Sequence, residues 1–413
     1  MKKNLLMAAC LFAGTMTFTS CSNDDDDEKV KTASEEVKAI EALSKQYVES
    51  VVFPTYTNLA DATEKLYEQL ESAKTAFRNG KLTQGDIDNI CSTFLSARSF
   101  WEQSEAFLYG PATTFGIDPH IDTWPLDLDA LAVALKNADQ VRMLDNGDEG
   151  IAYAGAKLGQ ELLGFHGIEF IIFRDGSNRT LTSLQANESD AAFTAIGANV
   201  TGEQELIYAT AVAGDLRDKC FQLEMAWRGE SAAKGHRDRV EECELETQIG
   251  ANYYGDHFQN ATNAGSIFKT WQEVLVTIFD SGCSNICNEV ANTKMGLAYT
   301  GEDPNYIESP YSKKSFQDFY DNISSIKNSL YGGVGLSTPA SHSVMALAST
   351  YNKTLAANLE AKVAAALAAL QACQRGAAFV DDPKATKVKA AMDAINDLDE
   401  QLAAGASWAA TIK

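Results

Sequence analysis

Two ionisable residues stand in the segment GFHGIEFIIF (residues 164–173), whose other eight residues are glycine or apolar. His166 and Glu169 are three apart, so a helix places them on one face. Leu163, Phe165, Ile168, Phe170, Ile171 and Ile172 leave that helix no wetted side, and a helix that is apolar all round is buried. A buried carboxylate without a partner is strongly destabilising. The pair therefore either satisfies itself and fixes a core, or serves a ligand; buried ionisable groups occur in both settings. Zinc-peptidase chemistry can be checked against the spacing. His-Glu-x-x-His and His-x-x-Glu-His both need a second histidine on the helix, and Gly167 and Phe170 stand where those motifs need Glu or His. Only His120, His236, His257 and His342 remain elsewhere in the chain. An ion held by His166 and Glu169 would draw mainly on oxygen, which favours iron, calcium or manganese over tetrahedral zinc. Gly164 and Gly167 leave bare backbone for close approach of a helix or ligand, at a propensity cost of about 1 kcal/mol each.

Three other stretches carry polar groups among aromatics. In RSFWEQSEAFLYGP (residues 98–111), Arg98, Glu102, Glu105 and Tyr109 share a helical face with Trp101 beside them. An exposed Arg–Glu ladder contributes little; the aromatic neighbours point to partial burial instead. IDTWPLD sets Asp122 and Asp127 around Trp124-Pro125, as a turn pinned by its tryptophan would. Between 307 and 333, Ser309, Ser312, Ser315, Asp318 and Asn322 fall on one stripe of a helix that Ser312 can cap. Serine and asparagine are poor helix formers, so the stripe is either a solvated face or the lining of something.

The elements that must position these groups read as helix almost throughout. Apolar periodicity predicts helices over 36–53 (stopped by Pro54), 56–78, 86–109 with Asp86 as cap, 127–139, 151–173, and 188–228 with a bend at VTGE. Others follow over 240–256, 266–299, 312–330, 343–374 and 385–411, with a loop at 111–126. The polar RGESAAKGHRDR (228–239) marks a boundary between an N-terminal helical bundle, 36–232, and a C-terminal one, 233–413. The expected fold is all-α, two bundles of about four long helices each.

Residues 1–20 have the positive start, short apolar run and closing TFTSC of a lipoprotein signal peptide, cleaved before a lipidated Cys21. SNDDDDE opens an acidic tether over 21–35, similar to the surface-export signal of Bacteroides-type lipoproteins. The expected place is the outer membrane, on the cell-surface or periplasmic side. A net charge of −23 argues against nucleic acid and anionic lipid as partners and is compatible with cations. The six cysteines beyond Cys21 form no CxxC pair, so buried free thiols are expected.

Taken together, four motifs in order resemble the imelysin-like family of bacterial exported proteins. They are GxHxxE (Gly164, His166, Glu169); Trp101, Ser104, Glu105, Gly110 and Pro111; Asp122, Trp124, Pro125 and Asp127; and the run from Glu308 and Ser309 through Tyr311, Ser312, Ser315, Asp318, Phe319 and Asn322 to Ile323. The resemblance implies two similar four-helix-bundle domains with a site at their interface, export, and a link to iron uptake with an outer-membrane iron transporter as partner. The family was once classed among metallopeptidases, which the incomplete zinc motif does not support. On this reading His166 and Glu169 are metal ligands or hydrogen-bond partners of the ligand. Glu105 and Asp318 add carboxylates, and Arg98, Trp124, Ser312 and Ser315 position them or the ligand. The ligand is iron or another divalent cation, with haem and siderophores left open. A peptidase at the same site, or polar stripes that only specify helix packing, are the rival readings.

Overall fold

The long apolar stripes of the sequence fold as helices in the computed structural model, which describes residues 34–413. The signal peptide, the lipidation expected at Cys21 and all but the last two residues of the acidic tether lie outside the described residues. The chain is all-α: among the described residues the only paired strands are Phe173–Arg174 and Ser177–Asn178, an antiparallel hairpin. Asp175 and Gly176 turn it with φ of 50° and 78°, the double positive φ that a two-residue hairpin turn requires.

Helix Gly202–Arg228, buried along almost its whole length, packs against Phe53–Arg78, Gly147–Lys157 and Gly164–Ile172. Helix Lys353–Cys373 packs on Ser315–Tyr331 and on Thr386–Ala409, and these two pack on the run that begins at Trp271. Gln84–Glu102 joins the two groups by lying against both Phe53–Arg78 and Ser315–Tyr331. One apolar core, with Trp101, Tyr56, Phe165, Trp227 and Phe258 among its largest members, runs through both.

Several element ends differ from the periodicity. Pro54 does not stop its helix. A π-helical turn at Val48–Val52 connects Glu35–Tyr47 to Phe53–Arg78, with Pro54 in the first turn of the latter. Proline cannot bond the carbonyl four residues back and crowds it; here that carbonyl, of Ser50, accepts the Val334 amide at 3.2 Å instead. The 266–299 helix is broken twice by π-helical segments, Ile278–Ser284 and Glu289–Lys294, which period counting does not reveal. Thr83, not Asp86, caps Gln84–Glu102, and Asp86 closes the capping box from the third helical position.

The expected helix 151–173 is three pieces: Gly147–Lys157, a 3₁₀ turn at Gln160–Leu162, and Gly164–Ile172. Gly164 has φ of 66°, and a Cβ there would lie 1.8 Å from the Ile121 carbonyl oxygen. Neither bare position is open to a ligand, because the Tyr208 hydroxyl fills the space beside Gly167 and donates to the Leu162 carbonyl at 2.6 Å. Gly164→Ala is therefore expected to cost about 3 kcal/mol or more, combining a strained φ with a backbone clash. Urea unfolding would show it as a lower midpoint, and an unchanged midpoint would contradict the close approach.

Candidate functional site

Arg98 lies in the last turns of Gln84–Glu102, near the middle of the molecule and only 2 % exposed. Its guanidinium is bonded to Asp122, lies against Glu102 one turn on, and donates to Glu308 Oε1 at 2.7 Å. Nε faces Asp318 Oδ2 at 3.9 Å. A planar fork of five donors suits such convergence of carboxylates better than an ammonium would. Asp122, just past the short helix Ile117–Ile121, is fixed a second time by the Trp101 indole N–H, 2.7 Å from Oδ2.

His166 approaches the same carboxylate. Its Nε2 is 3.1 Å from Asp122 Oδ1, while Nδ1 faces Glu169 Oε2 at 3.5 Å. The other oxygen of Glu169 accepts both the backbone N–H and the hydroxyl of Ser312, at 2.7 and 2.6 Å. Ser312 belongs to an irregular loop, not to a helix cap: helix Ser315–Tyr331 starts three residues later, and Ser309 and Lys313 have positive φ. That loop is held to the hairpin after the GxHxxE helix by the Gly176 amide, which donates to the Tyr311 carbonyl at 2.8 Å. Ser315 Oγ in turn donates to the Glu308 carbonyl at 2.5 Å. The expected serine stripe is thus half loop and half helix, and it is buried.

A second positive group completes the cluster. Lys294 Nζ, 1 % exposed, lies 3.1 Å from Glu308 Oε1, 3.4 Å from Glu105 Oε1 and 3.8 Å from Glu102 Oε2. Asn322 donates to Glu102 from Ser315–Tyr331. Glu105 sits in a 3₁₀ turn after the helix has ended, not on a continued helical face.

Glu102, Glu105, Asp122, Glu169, Glu308 and Asp318 are thus gathered around Arg98, Lys294 and His166, and none is more than 8 % exposed. Carboxylates outnumber cations even with the imidazole charged. Burial pushes Glu105 and Asp318 well above the usual carboxylate range. Burial also raises Glu308 to about 7, only partly opposed by Lys294. For Asp122 burial is outweighed by Arg98 and the His166 hydrogen bond, which hold it well below that range. Burial likewise opposes the His166 imidazolium, but hydrogen bonds to Asp122 and Glu169 outweigh it and raise its pKa to about 9. Glu308 Oε2 has neither a hydrogen bond nor an ion-pair contact in the protein, whereas Glu102 Oε1 lies against Arg98, Glu169 Oε2 faces His166 and Asp318 Oδ2 faces Arg98 Nε. Asp122, His166 and Glu308 offer ligand atoms within 4.8 Å of one another, as do Glu102, Glu105 and Asp122. Close-lying carboxylate and imidazole atoms, one carboxylate oxygen among them unpartnered, are donors that suit a small hard cation.

The structure brings Arg98, Glu105, His166, Glu169, Ser312, Ser315 and Asp318 into one cluster. Trp124 stands at its edge, its ring 6.5 Å from that of His166 and 4.0 Å from Tyr306. Glu308 and Asp122, inside the quoted motifs, prove as central as the histidine. Lys294 carried no motif, and the π-helical segment that aims it inward was unreadable. All six cysteines among the described residues are free, and only Cys243 is not buried. Among those residues no helix is long and apolar enough to cross a membrane.

Comparison with known proteins places the chain among relatives of the same all-α fold. A family model described as imelysin, and labelled a peptidase, matches residues 52–404. Iron-regulated protein A of Synechococcus elongatus is 23 % identical over 326 residues, covering 79 % of this chain and 74 % of that protein. A crystal structure described as an iron-regulated protein A precursor from Parabacteroides distasonis superposes with a TM-score of 0.71 at 23 % identity, over 93 % of this chain and 97 % of the other. An imelysin-like protein from Psychrobacter arcticum gives 0.56 at 11 % identity, over 88 % and 93 %.

Proposed function

We propose that this chain, which belongs to the imelysin family, holds one small divalent cation, iron(II) foremost, on the buried donors Asp122, His166 and Glu308, and serves iron homeostasis through it. The observation that carries the reading is the surplus of buried carboxylates, with ligand atoms of Asp122, His166 and Glu308 within 4.8 Å of one another and Glu308 Oε2 unpartnered. The iron preference draws on the relative named for iron regulation and on a mixed imidazole–carboxylate donor set. His166 would bind through Nε2. Glu169 would accept a hydrogen bond from Nδ1–H and hold the ring, as the carboxylate partner of a metal-binding histidine does, with Ser312 holding Glu169. Haem is disfavoured, because side chains already fill the space around so compact a donor set. Peptide hydrolysis is disfavoured too, because a substrate carbonyl would have to reach groups excluded from the surface.

The test is direct: protein purified without chelator, or titrated with Mn²⁺ or anaerobic Fe²⁺, should bind one ion per chain by mass spectrometry of metals and by calorimetry. Absence of binding at any pH between 6 and 8, on the order of the range around the Glu308 value, would end the proposal.

Protons and the cation must compete. In the cluster Glu308 (from 4.5 to about 7) and His166 (from 6.5 to about 9) have raised values, and outside it burial raises Asp118 on Ile117–Ile121 (from 3.8 to about 7) and Glu205 beside Arg179 (from 4.5 to about 8). The folded state therefore keeps protons that the unfolded chain has released. Their contribution is fully present below the unfolded values and is lost as pH rises through the folded ones. The metal-free chain is expected to lose on the order of 5 °C of Tm between about pH 5 and 9. Mn²⁺ protection should grow over the same interval, since binding displaces protons. Scanning calorimetry with and without Mn²⁺ checks both; a metal-free Tm that climbs across this interval contradicts the assignment.

A further inference from the structure

We propose that Lys294 is a built-in substitute for a second cation: its ammonium fills one half of what is otherwise a two-ion site sharing Asp122. The inference rests on the cation reading above and adds to it what limits the site to one ion.

Two three-residue donor sets meet here, Asp122–His166–Glu308 and Glu102–Glu105–Asp122, each with ligand atoms within 4.8 Å of one another. Two sets joined through one carboxylate form the arrangement that holds paired metals about 3.5–4 Å apart. Lys294 stands against the second set. Its Nζ contacts Glu105 at 3.4 Å and Glu102 at 3.8 Å, and reaches Glu308 of the first set at 3.1 Å. It thus lies where a second ion would make its contacts, and it neutralises that half without coordination geometry. Glu308 is fully buried and keeps Oε2 without a hydrogen-bond partner, while Glu102 Oε1 lies against Arg98, so donor capacity remains at Glu308 after the lysine has made its contacts. Arg98 does not play the same part, because its fork is spread over Asp122, Glu102 and Glu308 and so spans both sets. The lysine is delivered from the opposite half of the chain by the π-helical segment Glu289–Lys294, a local departure of the kind that re-aims a side chain at functional sites. Its consequence is chemical: a tethered ammonium excludes the paired-metal reactions that need a bridging hydroxide between two ions.

The experiment counts Mn²⁺ in the full chain by equilibrium dialysis and records its electron paramagnetic resonance. The wild type should bind one ion with an uncoupled six-line signal. Lys294→Met should bind two, with the signal broadened by exchange coupling across Asp122. The double variant Lys294→Met with Glu105→Gln, which restores the charge balance but removes a ligand, should return to one. If Lys294→Met does not fold in metal-free buffer, refolding from denaturant with excess Mn²⁺ is compared with refolding without it. Recovery only with Mn²⁺ supports the substitution, and failure in both overturns it. One ion in wild type and in Lys294→Met alike overturns it while leaving the single-cation reading intact. No ion in the wild type but one in Lys294→Met removes that reading and still supports the lysine as occupant. No ion in either removes both.

Discussion

Replacing Arg98 by methionine is expected to leave the chain unfolded or barely folded near neutral pH. The substitution keeps apolar volume and deletes the one side chain among the described residues that touches Asp122, Glu102 and Glu308 together and faces Asp318. Breaking one buried ion pair by removing a partner costs about 3–5 kcal/mol. Here one deletion strands several carboxylates, against a total stability of about 5–15 kcal/mol for typical domains. The midpoint of thermal unfolding should drop by about 10 °C or more, with partial recovery in acid, where the carboxylates are neutralised. Arg98→Lys should recover little, because a single nitrogen on a shorter stem cannot take the place of the separate guanidinium nitrogens that meet Asp122, Glu102, Glu308 and Asp318. A Tm within about 2 °C of the wild type would show that Arg98 does not hold the cluster together.

Glu308→Gln should do the reverse, keeping the fold and losing the cation. Glu308 Oε1 accepts from Arg98 and Lys294, and a glutamine oxygen can accept the same bonds. Its other oxygen, unpartnered in the protein, becomes an amide NH₂ pointing where a cation would sit. With its pKa raised to about 7 by burial, Glu308 is often protonated at neutral pH, so a neutral side chain costs the fold little. Mn²⁺ or Fe²⁺ affinity should fall at least about 100-fold, or about 2.7 kcal/mol, while Tm without metal stays within a few degrees. Unchanged affinity would remove Glu308 from the ligand set.

The residues most legible in the sequence were those whose chemistry clashed with their surroundings. A histidine and a carboxylate in an all-apolar segment implied burial, and the structure buries both fully among partners. Arg98 with Glu102 could be read from a four-residue spacing, and their contact is that of one helical turn. Helix existence was legible because apolar periodicity survives locally. What escaped was set by backbone departures that side-chain periodicity does not encode. The positive φ at Gly164, Ser309 and Lys313 ended or delayed helices where the apolar pattern ran on. The π-helical segments kept helical periodicity in outline while rotating Lys294 inward. Asp318 was expected beside the His166 pair, and it joins the cluster through Arg98. The nearer carboxylate from that half of the chain is Glu308, in the irregular loop, where no helical stripe could point to it.

The contact of Gly164 with the Ile121 carbonyl has a bearing on how accurately the cluster is built. Asp122 follows Ile121 directly, and His166 comes two residues after Gly164, so the two donor-bearing segments touch main chain to main chain. Such a joint contains no rotamers. Its dimension is set by van der Waals radii and bond lengths, both far stiffer than side-chain packing. The separation of the imidazole from its carboxylate is thus referenced to a hard stop, insulated from the volume changes that substitutions elsewhere in the core bring about. Drift in the surrounding core can proceed while the gauge between these two groups stays the same.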